Sequence, residues 1–371
     1  STLAESLNKL RDAYYAEGDV EYAGRYLFSG YMTDTPLTYQ SDETAAKADF
    51  TITQEFTREN IELKTVYTNA YSNDDILNLN VKTDAATGNV ITPNVADVHR
   101  VRIGYTKVSD AGTFEIKLND SNYQPGDDEA AFNAATGEIL LGENVYKQLY
   151  ASDGFSFTYR KDNFAKGDLN PVMYYDCVDN NPDNAGVVYT KKTEDIEYNI
   201  NFSQKLKVNT EANEVFNMYL GRDIDDLITS VNNVIDIEAQ LEKVEGMLKQ
   251  DIYSDKDSQS KLNSIKEGLT KQNELAKEEM KNRFEYCVGT MQGYQEQASL
   301  AKADAGNRMT RLNLTKSRLT EQKTNFTNLK SENEDIDLEE VVVGYSAAQL
   351  VYNASLTAAS KVIQQTLLDF L

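Results

Sequence analysis

From Glu211 to Leu371 the chain contains no proline, and its glycines there are few and isolated. A proline inside a helix removes a backbone hydrogen bond and collides with the preceding turn, so a stretch this long without one is free to run as long helices. The apolar residues follow the helical period. One helix is expected from about Asp223 to Lys249, with Leu227, Val231, Val234, Ile237 or Glu238, Leu241, Val244 and Leu248 on one side. Asp251-Ile-Tyr-Ser-Asp-Lys-Asp257 then reads as a polar turn ending in a helix cap.

The most periodic stretch follows: Leu262, Ile265, Leu269, Ala276, Met280, Phe284, Cys287, Met291, Tyr294, Ala298, Ala301, Ala305, Met309, Leu312, Leu319, Phe326 and Leu329. Its steps are mostly three, four or seven, the spacing of a coiled-coil seam. Continuous from Ser258 to Asn333, it would span about 110 Å at ~1.5 Å per residue, too long for one compact globule. A last amphipathic helix is expected after the acidic break Glu332-Asn-Glu-Asp-Ile-Asp337. Its seam is Leu338, Val342, Tyr345, Gln349, Tyr352, Leu356, Ala359, Ile363 and Leu367, and Leu368 and Phe370 follow near the end of the chain. The long seam has several helices to pair with in cis. The last helix has no adjacent segment that complements it, so another subunit, or a segment ahead of Ser1, is expected to cover it.

The start of the chain is also helical. Leu3, Leu7, Leu10 and Tyr14 recur at steps of four, three and four up to about Glu17, before Gly18 and Asp19 interrupt the pattern. The middle differs. Short alternating runs over Phe50 to Thr57, Ile61 to Thr68, Val98 to Thr106, Thr113 to Leu118, Phe155 to Tyr159, Val172 to Asp176 and Ile196 to Phe202 predict strands. Turn clusters such as Ala86-Thr-Gly-Asn89, Pro125-Gly-Asp-Asp128 and Asn180-Asn-Pro-Asp-Asn-Ala-Gly186 separate them. One short helix is expected near Glu143 to Tyr150. The fold class is therefore α+β, a long helical coiled-coil rod with an inserted, mainly β domain. Its parts are an N-terminal rod segment and exit loop (1–44), a β-rich outer domain (45–210), a helical rod (211–333) and a terminal helix (334–371).

Composition removes several functions. The chain has 60 Asp and Glu against 37 Lys and Arg, a net charge of -23, and no basic stripe, which disfavours nucleic acid as a partner. Cys177 and Cys287 lie far apart with no C-x-x-C, so neither a disulfide framework nor a Cys/His zinc site is expected. His99 is the only imidazole; it sits in Val98-His-Arg-Val-Arg-Ile103 and reads as a surface or sheet-packing residue. No apolar run reaches 18 residues, so no membrane insertion is expected, and no secretory signal is visible.

Candidate chemistry is sparse. Asp179, Asn181 and Asp183 resemble the start of a calcium loop, but Asn184 stands where the sharp turn needs Gly and Thr190 where Glu should close the site. Asp127, Asp128 and Glu129 read as a solvated turn. Sixty acids supply carboxylate pairs everywhere, so no pair points to glycoside hydrolysis. No nucleotide-binding, zinc-protease or serine-hydrolase motif occurs, and Gly24 to Gly30 encloses a bulky aromatic centre that cannot cradle phosphate. The Asn201, Asn313, Asn325 and Asn353 sequons fall mostly on expected coiled-coil helices, where a glycan would obstruct packing. Cys287, inside the seam, reads as a small buried hydrophobe. No catalytic residue, metal site or cofactor is expected.

Both ends resemble one family. Glu21-Tyr-Ala-Gly-Arg-Tyr-Leu-Phe-Ser-Gly30, running on through Thr33-Asp-Thr-Pro36, is similar to the exit from the first long helix of flagellin-like flagellar hook-associated proteins. Arg308-Met-Thr-Arg-Leu-Asn-Leu314, Arg318-Leu-Thr-Glu-Gln-Lys323, Ser331 to Glu340 and Leu367-Leu-Asp-Phe-Leu371 resemble the C-terminal core of the same superfamily. Leu27-Phe-Ser-Gly30 with Thr33-Asp-Thr-Pro36, and Gly167-Asp-Leu-Asn-Pro-Val-Met-Tyr-Tyr-Asp176, are closer to its hook-filament junction subunits than to filament flagellin.

The resemblance implies a non-enzymatic, extracellular structural subunit with paired terminal helices as an inner coiled-coil layer (the flagellin-like D0/D1 arrangement) and the β domain facing outward. It implies type III export without a Sec signal and self-association in a ring. The other implied partners are other hook-associated proteins, flagellin, and an export chaperone held through the C-terminal helix. It also implies a further N-terminal segment ahead of Ser1, and the helical stretch from Asp223 to about Leu300 is longer than the family carries. Filament flagellin is the near alternative. A surface adhesin or glycan-binding protein, displaying a β module that holds eleven of the 23 tyrosines, is the alternative of another class, and an enzyme grafted onto the rod is the least favoured.

Overall fold

The computed structural model describes residues 2–111, 122–191, 195–201, 204–335 and 337–365, with side chains through Lys361. In chain order the elements are α1 (Thr2–Ala16), β1 (Glu21–Tyr22), β2 (Arg25–Tyr26), α2 (Asp42–Ala46), β3 (Phe50–Phe56), β4 (Ile61–Thr68), α3 (Asn73–Leu77) and β5 (Asn94–Arg102). There follow β6 (Ala130–Asn133), β7 (Glu138–Leu141), α4 (Glu143–Tyr150), β8 (Phe155–Lys161), β9 (Asp176–Asp179), β10 (Val188–Tyr189), β11 (Glu197–Asn201) and β12 (Gln204–Lys207). The remainder is helical: α5 (Ala212–Val215), α6 (Tyr219–Leu248), α7 (Lys256–Glu334) and α8 (Leu338–Gln365). The chain is α+β. It divides into two compact units, one of Ser1–Glu197 with Lys207–Asp304, the other of Tyr198–Leu206 with Ala305–Leu371.

In the first unit two antiparallel sheets, ordered β10-β9-β3-β8 and β4-β5-β7-β6, share one apolar core. Phe50, Ile52 and Phe56 of β3 and Phe157 and Tyr159 of β8 come from the first sheet. Val101 of β5, Phe132 of β6, and Ile139 and Leu141 of β7 come from the second, and Tyr15 of α1, Leu37, Phe216 and Met218 close the cluster. β3 shows the expected alternation, buried at every second residue. The first helix is tied in by a hydroxyl: Tyr15 donates to the Met218 carbonyl at 2.9 Å and accepts the Gly221 amide at 2.9 Å. That contact supplies α6 with the partner its first turn lacks, since no side-chain cap precedes it.

Several strand expectations shift. The run expected from Val98 lies four residues earlier as β5, and Val172 to Asp176 is not a strand. The Asn170 side chain accepts the Val172 amide at 3.3 Å and Pro171 begins a tight 3-10 turn, with the strand starting only at Asp176. β6 and β7 were not expected. The run Thr113 to Leu118 lies outside the described residues, as does Phe202.

α6 and α7 form a hairpin through a turn at Asp251–Tyr253, and Asp255 caps α7 by accepting the Ser258 amide at 2.9 Å. Val234, Ile237, Val244 and Met247 meet Leu262, Ile265, Leu269 and Ala276, joined by Tyr67, Tyr71 and Ile76 from β4, the loop after it and α3. Exposed ion pairs, Lys266 to Glu245 and Lys277 to Glu238, both at 2.8 Å, run along the hairpin. In the second unit β11 and β12 form a two-stranded sheet, and Arg311 of α7 donates to the Lys205 carbonyl at 3.3 Å.

Gly268 lies on α7 where Tyr71 packs against the helix. A Cβ there would meet the Tyr71 ring at 2.2 Å. The ring cannot easily yield, because the Tyr71 amide donates to Gln272 Oε1 at 2.9 Å and the Lys82 amide donates to the Tyr71 hydroxyl at 3.2 Å. Alanine for glycine in a helix interior ordinarily stabilises by about 1 kcal/mol. Here Gly268→Ala is expected to destabilise, by about 1–3 kcal/mol, because overpacking outweighs propensity. Denaturant midpoints check this, and a stabilised variant would show that Tyr71 moves freely.

Candidate assembly surface

Helix α8 begins behind Asp337, whose carboxylate accepts the Glu339 amide at 2.9 Å. From Val341 to Ser360 it carries no charged side chain. Of the expected seam, Leu338 is 77% exposed, Val342 55%, Tyr345 67%, Tyr352 64% and Leu356 53%, and Gln349 and Ala359 are exposed as well. Ile363 lies on the described backbone of α8, though its side chain is outside the description. Leu367, Leu368 and Phe370 lie outside the described residues.

At 3.6 residues per turn, Leu338, Val342, Tyr345, Gln349, Tyr352, Leu356 and Ala359 share one side. The structure adds residues the single seam omits. Val343, Leu350 and Val351, at 68%, 72% and 62% exposure, lie toward the opposite side with Ala347 and Ala354. A helix apolar on more than one side is the pattern of a helix buried on more than one side.

The α7 seam is used unevenly. Within the first unit Leu262, Ile265, Leu269, Ala276 and Cys287 are buried and Met280, Phe284, Met291, Tyr294, Ala298 and Ala301 half-buried, so the expected pairing in cis is made there. Within the second unit Ala305, Met309, Leu312, Leu319, Phe326 and Leu329 are exposed.

The first unit holds a dense set of ionisable groups. Arg100 and Arg102, two residues apart on β5, share a face of the strand, while Val101 between them enters the core. Arg100 donates to Glu138 of β7, to Glu62 of β4 and to Asp226 of α6 at 2.5, 3.2 and 2.5 Å. Arg102 donates to Glu62 at 2.6 Å, to Asp223 of α6 at 2.8 Å and to Asp226 at 3.3 Å. Lys64 adds a bond to Glu138 at 2.7 Å, and the Tyr294 hydroxyl of α7 donates to Asp223 at 2.7 Å. Both guanidiniums are 2–3% exposed. Burial alone would raise the Glu138 carboxyl, but Lys64 and Arg100 outweigh it and hold it down to about 2. Burial and then Arg100 and Arg102 act on Asp226 in the same way, leaving it well below the usual carboxylate range. The arrangement fastens sheet to helices, and each carboxylate is already engaged.

Other sequence candidates are accounted for locally. The His99 ring stacks on Tyr146 with centroids 3.5 Å apart. Asp179 accepts the Asn181 amide at 2.9 Å and Asn181 accepts the Asp183 amide at 3.0 Å, so these side chains form turns. Cys177 and Cys287 are free and buried, and burial pushes their thiols up to about 12 and about 11. Among the described residues no group of three His, Cys, Asp or Glu could hold a metal ion, and no helix is long and apolar enough to cross a membrane.

The ion network carries a pH prediction. Because Glu138 and Asp226 titrate lower in the fold than in the open chain, their stabilisation is full above about pH 4.5 and is lost as pH falls through about 2. Asp226→Asn is expected to cost about 3–5 kcal/mol at pH 7 and to flatten the decline of stability between pH 5 and 2. Denaturant unfolding across that range checks it; a profile as steep as the parent's would contradict it. Comparison of the whole chain with protein-family models, with curated proteins and with solved structures finds no match.

Proposed function

We propose that the chain is a non-enzymatic structural subunit of the bacterial flagellum, a hook-filament junction subunit of the flagellin-like kind. It would join its neighbours by packing helices between subunits. The observation that carries this reading is α8: an uncharged stretch from Val341 to Ser360 with Leu338, Val342, Tyr345, Tyr352 and Leu356 all more than half exposed. The sequence motifs at both ends point the same way. The α8 residues serve as apolar knobs in holes on neighbouring subunits, and the β sheets face outward. The partners are further copies in a ring, other hook-associated proteins, flagellin, and a chaperone that covers the C-terminal helix before type III export.

An uncovered apolar helix is marginal in water, so the reading makes assembly depend on this face. Leu356→Asp with Ile363→Asp, placed in the full-length protein of the bacterium that carries it, is expected to abolish hook-tip occupancy while leaving the β-rich unit folded. Filaments would then be lost and flagellin would leak into the medium. Normal filaments and motility would remove the proposed role of the helix. Loss of filaments without leaked flagellin would instead identify the chain as filament flagellin, the near alternative.

A further inference from the structure

A cleft of about 540 Å³ opens in the first unit between α1, α6 and the loops that follow β5 and β8, a volume in the ordinary range for small-molecule sites. Arg11, Lys107, Lys161, Lys166 and Arg222 line it, in a chain whose net charge is -23. Its carboxylates are largely engaged. Asp12 pairs with Arg11 at 3.1 Å, Asp225 lies 3.1 Å from Arg11 and 3.6 Å from Arg222, and Asp168 accepts the Ala165 amide at 3.0 Å. Among the described residues none of the three lysine ammoniums has a carboxylate within ion-pair distance.

Lys161 is the informative one. The residue is 3% exposed, and its ammonium is met only by neutral groups: the Thr106 carbonyl at 3.0 Å, the Asn163 side-chain oxygen at 2.9 Å, and the Asn163 carbonyl at a long 3.4 Å. The ring faces of Phe164 and Tyr105 lie 4.9 and 5.9 Å away. Burial lowers this ammonium to about 8, outweighing the attraction of Asp168, in the same cleft, and of Asp162, both beyond ion-pair distance. Arg222, 4% exposed, donates one amino nitrogen to the Thr136 carbonyl at 2.5 Å, while the other reaches Asp225 only at 3.6 Å and Nε is unpartnered. At the rim, Lys107 holds a φ of 53°, a left-handed conformation that is strained for a residue with a side chain.

We propose that this cleft binds a small anionic molecule, a carboxylate or a phosphate ester, with Lys161 and Arg222 as its buried cations and Lys107 and Lys166 at the rim. The anion supplies the partner at contact distance that Asp168 and Asp162 do not reach, and the 3.4 Å contact is the one it displaces. This site is independent of the assembly reading, since it uses no residue of α7 or α8.

Calorimetric titration of the whole chain at low salt with inorganic phosphate, and separately with glucuronate, tests it. One-site, saturable binding in the millimolar range or tighter is expected for at least one of them. Lys161→Met should weaken that binding at least about tenfold, ~1.4 kcal/mol, with a smaller loss for Lys166→Ala. Binding of phosphate alone identifies a phosphate ester as the ligand class, and binding of glucuronate alone a carboxylate. Lys161→Met removes a buried charge together with the donor to Thr106 and Asn163, and should remain folded with some loss of thermal stability. Should it fail to fold, the exposed pair Lys107→Ala with Lys166→Ala decides in its place. Absence of saturable binding by either probe, or equal binding by parent and variants, would overturn the proposal.

Discussion

Two arginines on one strand hold the first unit together. Arg100 and Arg102 engage Glu138 and Glu62 of the neighbouring strands and Asp223 and Asp226 of α6, so the helix is seated on the sheet by charge geometry as well as by apolar contact. A buried charge network is seldom better than an apolar core in free energy, but it tolerates one arrangement only. A helix slid by one turn would leave carboxylates and guanidiniums unpaired in a dry site. The α6–α7 hairpin inherits that fixed position, and its apolar seam is taken up by Tyr67, Tyr71, Ile76 and its own facing residues.

The apolar residues of the second unit have a different fate. From Met309 through Leu329, and again along α8, large side chains face solvent that in the hairpin would be core. Short isolated helices gain little from propensity alone and rely on packing for stability. The charge-free stretch from Val341 to Ser360 makes the demand sharper, because nothing in it favours water strongly enough to hold that face open. The apolar character of two sides of α8 suits a place among several neighbouring helices better than a single pairing.

The long helices were legible because α7 and α8 contain no proline and keep a regular apolar period, and the acidic break put the start of α8 at Leu338 in both readings. β3, β4 and α4 were legible for the same reason at shorter range. β6 and β7 were not: Glu138–Leu141 is buried at every position, so the alternation that marks a half-buried strand is missing. The arginine network was also hidden. Val98-His-Arg-Val-Arg-Ile103 alternates like a strand with one wet face, and the carboxylates that bury its arginines come from Glu62 and Glu138 on the neighbouring strands and from α6, more than a hundred residues on. The described residues of the expected α8 seam lie along one side of the helix, but Val343, Leu350 and Val351 fall between the steps of a single heptad and so escaped it. The cationic cleft left no trace in the sequence, since Arg11, Lys107, Lys161 and Arg222 are brought together only by the fold.

The central claim is that the exposed face of α8 is covered by neighbouring subunits once the protein is assembled. A single cysteine at this face reads that directly, and the two native cysteines are buried enough to leave a low background. Leu356→Cys in the full-length protein should react with a water-soluble maleimide at the rate of an open thiol in the free subunit, and at least about tenfold more slowly in the proposed flagellar assembly. Equal labelling in the free and the assembled states would contradict the account.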